Sequence, residues 1–241
     1  MKIATWNINS LSVRLPQVLA WLAAHPVDVL CLQELKLTDD KFPFEALRAA
    51  GYEAACFGQK TYNGVAILAR TPLTEVVRNI PGLDDDQARV LSATVQTPHG
   101  PLRVVNGYFV NGQAPGTDKF AYKLRWLQAL LGHVQAELAA HPRLALLGDF
   151  NVAPEDRDSY DPVGLAGTIH HTPEERAHFQ ALLGLGLTDA FRLFEQPEKS
   201  YSWWDYRMLG FQKNRGLRID HILVSAALRE AVTACSIDRA P

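Results

Sequence analysis

The chain has 241 residues, 47% of them hydrophobic, and sets 24 Lys and Arg against 26 Asp and Glu for a formal charge of −2, which excludes a protein that coats nucleic acid by bulk charge and leaves only a local basic patch for that purpose. No apolar stretch approaches the roughly 18 to 20 residues that span a bilayer, so neither export nor membrane insertion is expected, and the length suits one large α/β domain over residues 1–241. Three cysteines, Cys31, Cys56 and Cys235, are odd in number and match neither a zinc site nor a disulfide framework, which points to a reducing, cytoplasmic setting.

Residues 2–9 are rich in β-formers and read as a strand carrying Asn7 near its far end; a strand-ending turn residue is the plain account of that asparagine. Ser12 caps a helix with Pro16 in its first turn and Val18, Leu19, Leu22 and Ala23 as its buried stripe. Residues 27–32 form a core strand that ends in Gln33-Glu34. Parallel strands joined by a helix bring their carboxyl ends to one edge, so Asn7 and Glu34 are expected to be neighbours.

A short helix over 44–50 leads into apolar segments at 52–57, 64–69, 72–79, 89–96 and 102–109, whose Gly, Pro and Asn punctuation indicates an antiparallel meander. The last carries Asn106 and Tyr108 on either side of a glycine that permits close backbone approach; a core aromatic with a satisfied hydroxyl is the alternative for Tyr108. Residues 120–139 are an amphipathic helix with Leu124, Leu127, Leu131, Val134 and Leu138 at helical spacing. It feeds Leu144-Ala145-Leu146-Leu147, an uninterrupted apolar strand running into Gly148-Asp149-Phe150-Asn151. Asp149 and Asn151, two apart in extended chain, face the same way at the mouth of that strand. A turn in which the aspartate bonds its own backbone competes with that reading.

His170 and His171 lack a third ligand at zinc spacing and read as surface loop residues. Thr172-Pro173-Glu174-Glu175 is a capping box that opens a helix to about residue 185. Residues 199–218 interleave five basic residues and five aromatics with a single acid, the composition that phosphates and unstacked bases require. Residues 217–224 form a strand with Asp220 at its start; His221 points to the opposite face. If that strand runs antiparallel to those ending in Glu34 and Asp149, a mixed sheet gathers Asn7, Glu34, Tyr108, Asp149, Asn151 and Asp220 in one pocket. Such oxygen ligands suit Mg²⁺, which takes one or two carboxylates with waters and a substrate phosphate.

Together, Trp6-Asn7-Ile8-Asn9, Leu32-Gln33-Glu34, Asn106-Gly107-Tyr108-Phe109, Gly148-Asp149-Phe150-Asn151, Ser202-Trp203-Trp204-Asp205-Tyr206-Arg207 and Asn214-Arg215-Gly216-Leu217-Arg218-Ile219-Asp220 resemble the ordered motif set of the exonuclease III family of abasic-site endonucleases, in the endonuclease/exonuclease/phosphatase superfamily. The resemblance runs the length of the chain. It implies a four-layer α/β sandwich of two mixed β-sheets flanked by helices. The implied function is that of a monomeric DNA-repair phosphodiesterase using Mg²⁺, with Mn²⁺ as the alternative metal. Its substrate is double-stranded DNA, incised 5′ to abasic sites or degraded 3′ to 5′ from its 3′ ends.

Residue by residue, the resemblance implies that Glu34 binds the metal with Asn7 close by, that Asp149 activates the attacking water, and that Asn151 helps hold water and phosphate. It implies further that Tyr108 contacts the scissile phosphate or the leaving oxygen, that Trp203 and Leu217 wall a pocket for a flipped-out sugar, that Arg215 contacts the substrate, and that Asp220 orients a histidine. That histidine belongs to a Ser-Asp-His motif on a further strand, and the sequence stops short of it at Ile237-Asp238-Arg239-Ala240-Pro241. A catalytically impaired DNA-binding module, which keeps the groove and the metal site without turnover, is the second reading. A superfamily phosphodiesterase with another substrate is the third reading.

Overall fold

The strands in which apolar residues run without interruption form the interior of the first of two compact units in the computed structural model, which describes residues 1–239. That unit takes Met1–Tyr108 and His141–Asp149; the second takes Phe109–Ala140 and residues 150–239.

The first unit contains β1 (Ile3–Asn7), α1 (Leu11–Ala24), β2 (Val29–Gln33), α2 (Phe44–Ala49), β3 (Glu53–Phe57), β4 (Val65–Ala69), β5 (Leu73–Arg78), β6 (Val90–Thr97), β7 (Gly100–Tyr108) and, after the long helix of the other unit, β8 (Leu144–Asp149). Both of its sheets are mixed. In one, of order β1-β2-β4-β3, only β1 and β2 are parallel; in the other, β5, β6 and β7 form the expected antiparallel meander and β8 joins β7 in parallel. Alternate residues of β2 and β4, Leu30, Leu32, Ala66 and Leu68, pack with Val18 and Leu22 of α1 and Leu47 of α2. On the other face of β2 the buried Gln33 donates to Asn106 Oδ1 at 2.8 Å, while Asn106 Nδ2 donates to the carbonyls of Leu32 at 3.0 Å and Ala66 at 2.8 Å. Asn106 therefore joins the two sheets and is spent on structure.

Helix α1 begins earlier than its expected Ser12 cap, with Ser10 at the N-cap and Pro16 inside the helix. The reason lies outside the helix: Ser10 N and Leu11 N donate to the carbonyls of Glu34 and Leu35 at 2.8 and 3.0 Å, so the extension of β2 fixes the entry.

One close approach sets the geometry at the end of the second sheet. Gly107 and Gly148 are direct partners across β7 and β8. A Cβ on Gly148, whose φ is +145°, would stand 1.9 Å from the Gly107 carbonyl oxygen. Only a glycine at 148 lets the strands stay in register, and that register places Tyr108 opposite Asp149.

The second unit contains α3 (Asp118–Ala140), α4 (Pro173–Gly184), the antiparallel pair β9 (Leu187–Asp189) and β12 (Asp220–Ser225), and the two-residue pair β10 (Trp203–Trp204) and β11 (Gly216–Leu217). Its core is aromatic: Phe109 and Phe150 stack at 4.1 Å, flanked by Trp126, Phe179 and His221. Helix α3 buries Phe120, Lys123, Trp126, Leu127, Leu130, His133 and Val134. Only Leu127 and Val134 of the expected stripe are among them, because hydrophobic counting leaves out the inward-facing Lys123. The strand expected over 217–224 breaks at Arg218-Ile219, where Arg218 turns inward to ion-pair with Asp158 and Asp189.

Candidate active site

In the first unit Asn7, Glu34, Tyr108 and Asp149 meet at strand ends. Asn7 Nδ2 donates to Glu34 Oε1 at 2.8 Å and to Asp149 Oδ2 at 2.9 Å, so one amide bridges two carboxylates delivered by different sheets. Asp149 is only 4% exposed. The turn that carries Glu34 is strained: Glu34 and Lys36 have left-handed φ, +54° and +55°, a conformation that surrounding bonds must hold. Leu35 N and Lys36 N donate to the carbonyls of Gly64 and Asn63 and do so here. Lys36 Nζ ion-pairs with Glu34 Oε2 at 3.0 Å and also bonds Asn9 Oδ1.

Burial, followed by the nearby charges of Glu34 and Asp149, pushes the Tyr108 phenol well above its ordinary range, so the hydroxyl stays protonated and donates. Arg89 packs its guanidinium 5.0 Å from the ring centre and donates to the Tyr108 carbonyl at 3.2 Å. Sequence reasoning missed Lys36 and Arg89, because what they touch is set by strand pairing.

Two carboxylates and an amide offer oxygen donors without histidine or cysteine, a set that suits a hard cation such as Mg²⁺, which keeps its waters. Among the described residues no group of three or more His, Cys, Asp and Glu could hold a metal.

In the second unit Asn151 is 4% exposed with φ +51°. Its Nδ2 donates to the Phe109 carbonyl at 3.0 Å, and its Oδ1 accepts from Asn111 Nδ2 at 3.2 Å. Asn111 was not foreseen: a lone asparagine in a glycine-rich loop carries no pattern. The surface placement expected for His170 and His171 is overturned, since they are 9% and 4% exposed. His170 N donates to Glu175 Oε1 at 3.1 Å, which draws the loop inward. Burial, then the charge of Lys123, lowers the His170 pKa to about 4.

Asp220 opens β12, its N donating to Ser202 Oγ at 3.0 Å. His221 faces inward: Nδ1 accepts from Arg218 at 3.0 Å, Nε2 donates to the Val152 carbonyl at 3.0 Å, and burial takes its pKa to about 4. It is a neutral core residue. Trp203 lies opposite Leu217 across β10 and β11; the tryptophan is 41% exposed and the leucine 4%. Tyr206, Leu209 and Phe211 are exposed beside it in sequence.

Of the five cations in 199–218, Arg207 is taken by Asp205 and Arg218 by Asp158 and Asp189. Lys199, Lys213 and Arg215, without a carboxylate partner among the described residues, line one open groove with Tyr160, Asp161 and Asn214. The local charge available to a ligand is therefore smaller than the sequence count, and concentrated.

The endonuclease/exonuclease/phosphatase family matches residues 4–241. The chain belongs to that family. Within it, exodeoxyribonuclease III of Haemophilus influenzae is 37% identical over 243 residues, covering 95% of this chain and 90% of that protein. The solved structure of the 3′ phosphatase NExo from Neisseria, bound to product DNA hairpin, is 51% identical with a TM-score of 0.92 over 95% of this chain and 88% of that one. An AP endonuclease from Archaeoglobus fulgidus is 32% identical with a TM-score of 0.93 over 100% and 93%. The exonuclease III resemblance is borne out, and so is the fold class, a mixed α/β fold of two mixed sheets with helices shared with these neighbours. These relatives of the endonuclease/exonuclease/phosphatase family are hydrolytic nucleases, a class that works with a divalent cation. Among the described residues no helix is long and apolar enough to cross a membrane.

Proposed function

We propose that this member of the family is a Mg²⁺-dependent DNA phosphoesterase that hydrolyses phosphoester bonds at 3′ ends. The observation that carries it is the Asn7 amide bridging Glu34 and Asp149, a pairing of one metal-ligand carboxylate with one base carboxylate. The 3′-end preference draws on the 51% identity to a 3′ phosphatase, against 32% to an AP endonuclease. Incision of double-stranded DNA 5′ to an abasic site is the second reading, favoured by the exposed Trp203 beside Leu217, a wall suited to an unstacked sugar.

A divalent cation, which Glu34 would hold, would supply positive charge against the negative charge that develops on the phosphoryl and leaving oxygens. Asn7 fixes the carboxylate of Glu34 by its hydrogen bond. Asp149 accepts a proton from the water whose oxygen bonds to phosphorus, as the bond from phosphorus to the leaving oxygen breaks. Tyr108, kept protonated, donates to the phosphate or to that leaving oxygen. The Asn151 carboxamide holds water and phosphate in line, and Lys199, Lys213 and Arg215 take backbone phosphates.

End-labelled duplexes with a recessed 3′ end, a 3′ phosphate or an internal abasic analogue test this, each with Mg²⁺, Mn²⁺ or EDTA. Release of nucleotide or inorganic phosphate from 3′ ends, stopped by EDTA, is expected. A nick on the 5′ side of the abasic analogue establishes the second activity. Tight binding without hydrolysis marks an impaired module, and neither binding nor hydrolysis assigns the site to another phosphodiester.

A further inference from the structure

Lys123 sits in the second turn of α3 and is fully buried. An ammonium in that position is costly unless every donor is met. Glu175, equally buried, faces it as an ion pair, and the Nζ also donates to the backbone carbonyls of Asn151 at 2.8 Å and Asn111 at 3.2 Å. Glu175 is itself anchored at the start of α4: Thr172 N and Oγ1 donate to its Oε2 at 3.0 and 2.8 Å, and His170 N to its Oε1. The capping box singled out in the sequence is thus also the counter-ion mount for a lysine 52 residues away.

The Asn151 carbonyl receives a second donor, His170 Nδ1 at 2.6 Å. Gly112 is required beside it, because a Cβ there would lie 2.8 Å from Lys123 Cδ. Packing alone does not call for such an apparatus: apolar residues of similar volume often replace a buried ion pair with no loss of stability. What this pair does that apolar residues do not is grip the backbone of two asparagines whose side chains hydrogen-bond each other at 3.2 Å.

We infer that Lys123, seated by Glu175, is a positioning residue for hydrolysis: by holding the carbonyls of Asn111 and Asn151 it keeps the Asn151 carboxamide in one orientation. This rests on the role proposed above for Asn151.

The test uses the full chain with a 3′-recessed duplex and Mg²⁺, measuring kcat, KM and Tm for Lys123→Met and for the neutral pair Lys123→Met/Glu175→Gln, each with Asn151 present and with Asn151→Ala. A displaced positioning group costs about 100-fold, so kcat is expected to fall by about that factor while KM stays within about twofold. The neutral pair is expected to return Tm to near that of the parent without returning kcat, since methionine cannot donate to the Asn151 carbonyl. With Asn151→Ala in place, further change at position 123 is expected to alter kcat by less than about threefold. Recovery of kcat together with Tm in the neutral pair, or the same loss in both backgrounds, overturns the inference and leaves the role of Asn151 standing. Parental kcat in Asn151→Ala alone overturns that role and the inference with it.

Discussion

Replacing Asn7 by alanine tests whether the bridge between the two carboxylates governs the rate. Its Nδ2 makes two hydrogen bonds to ionised acceptors, at 2.8 and 2.9 Å, and bonds to charged groups contribute about 1.5 to 3 kcal/mol each. Asn7 and Glu34 are partly exposed, and water compensates part of the loss, so the lower figure applies to both. The sum, about 3 kcal/mol, corresponds to a fall in kcat of about 150-fold. Removing the amide also leaves Glu34 and Asp149 facing each other, with a repulsion of up to about 4 kcal/mol at 4 Å in a medium of effective dielectric constant ~20. A bound cation relieves that repulsion but cannot restore the orientation of either group. The defect is therefore expected to persist at saturating Mg²⁺, with KM close to parental, while thermal stability without the metal falls. Initial rates on a 3′-recessed duplex across a Mg²⁺ titration measure it. A kcat within about threefold of the parent at saturation, against the ~150-fold expected, would refute the reasoning.

Asp149→Asn keeps an oxygen to accept from Asn7 but removes the base; hydrolysis is expected to drop by about 10³-fold with DNA affinity unchanged, and undiminished turnover removes Asp149 from that role. Alanine at Lys199, Lys213 or Arg215 is expected to lower the slope of log binding constant against log salt by about 0.9 for each phosphate that is no longer neutralised; an unchanged slope in all three shows that the groove takes no phosphate. Stability to urea is expected to fall on acidification. His221 has a folded pKa of about 4, below its unfolded value of about 6.5, so the unfolded chain binds the extra proton. Its contribution is complete above the unfolded value and is lost as pH falls toward the folded one, at about 1.4 kcal/mol per pH unit in that window. His170 acts in the same direction. A His221→Gln variant with the same slope as the parent would exclude His221 as a source.

Strand ends are legible in the sequence because the signals that mark them act over a few residues. An apolar run that stops at a polar residue shows which side chains reach a sheet edge, and Asn7, Glu34, Tyr108 and Asp149 all emerge that way. The Thr172 capping box emerges for the same reason. Local pattern fails where a residue's environment comes from a distant segment. Hydrophobic spacing passes over Lys123, zinc spacing leaves His170 and His171 at the surface, and composition counts Arg218 as one more cation for DNA.

By itself, then, the sequence determined the family, the kinds of element and the polar groups that strands deliver to their ends, since these follow from patterns short enough to read along the chain. Only tertiary structure decided which charges are buried and which remain for a ligand. The Lys123–Glu175 and Arg218–Asp158 pairs join residues 52 and 60 positions apart. A charge enters the interior only when its counter-ion is brought to it, and folding alone determines that meeting.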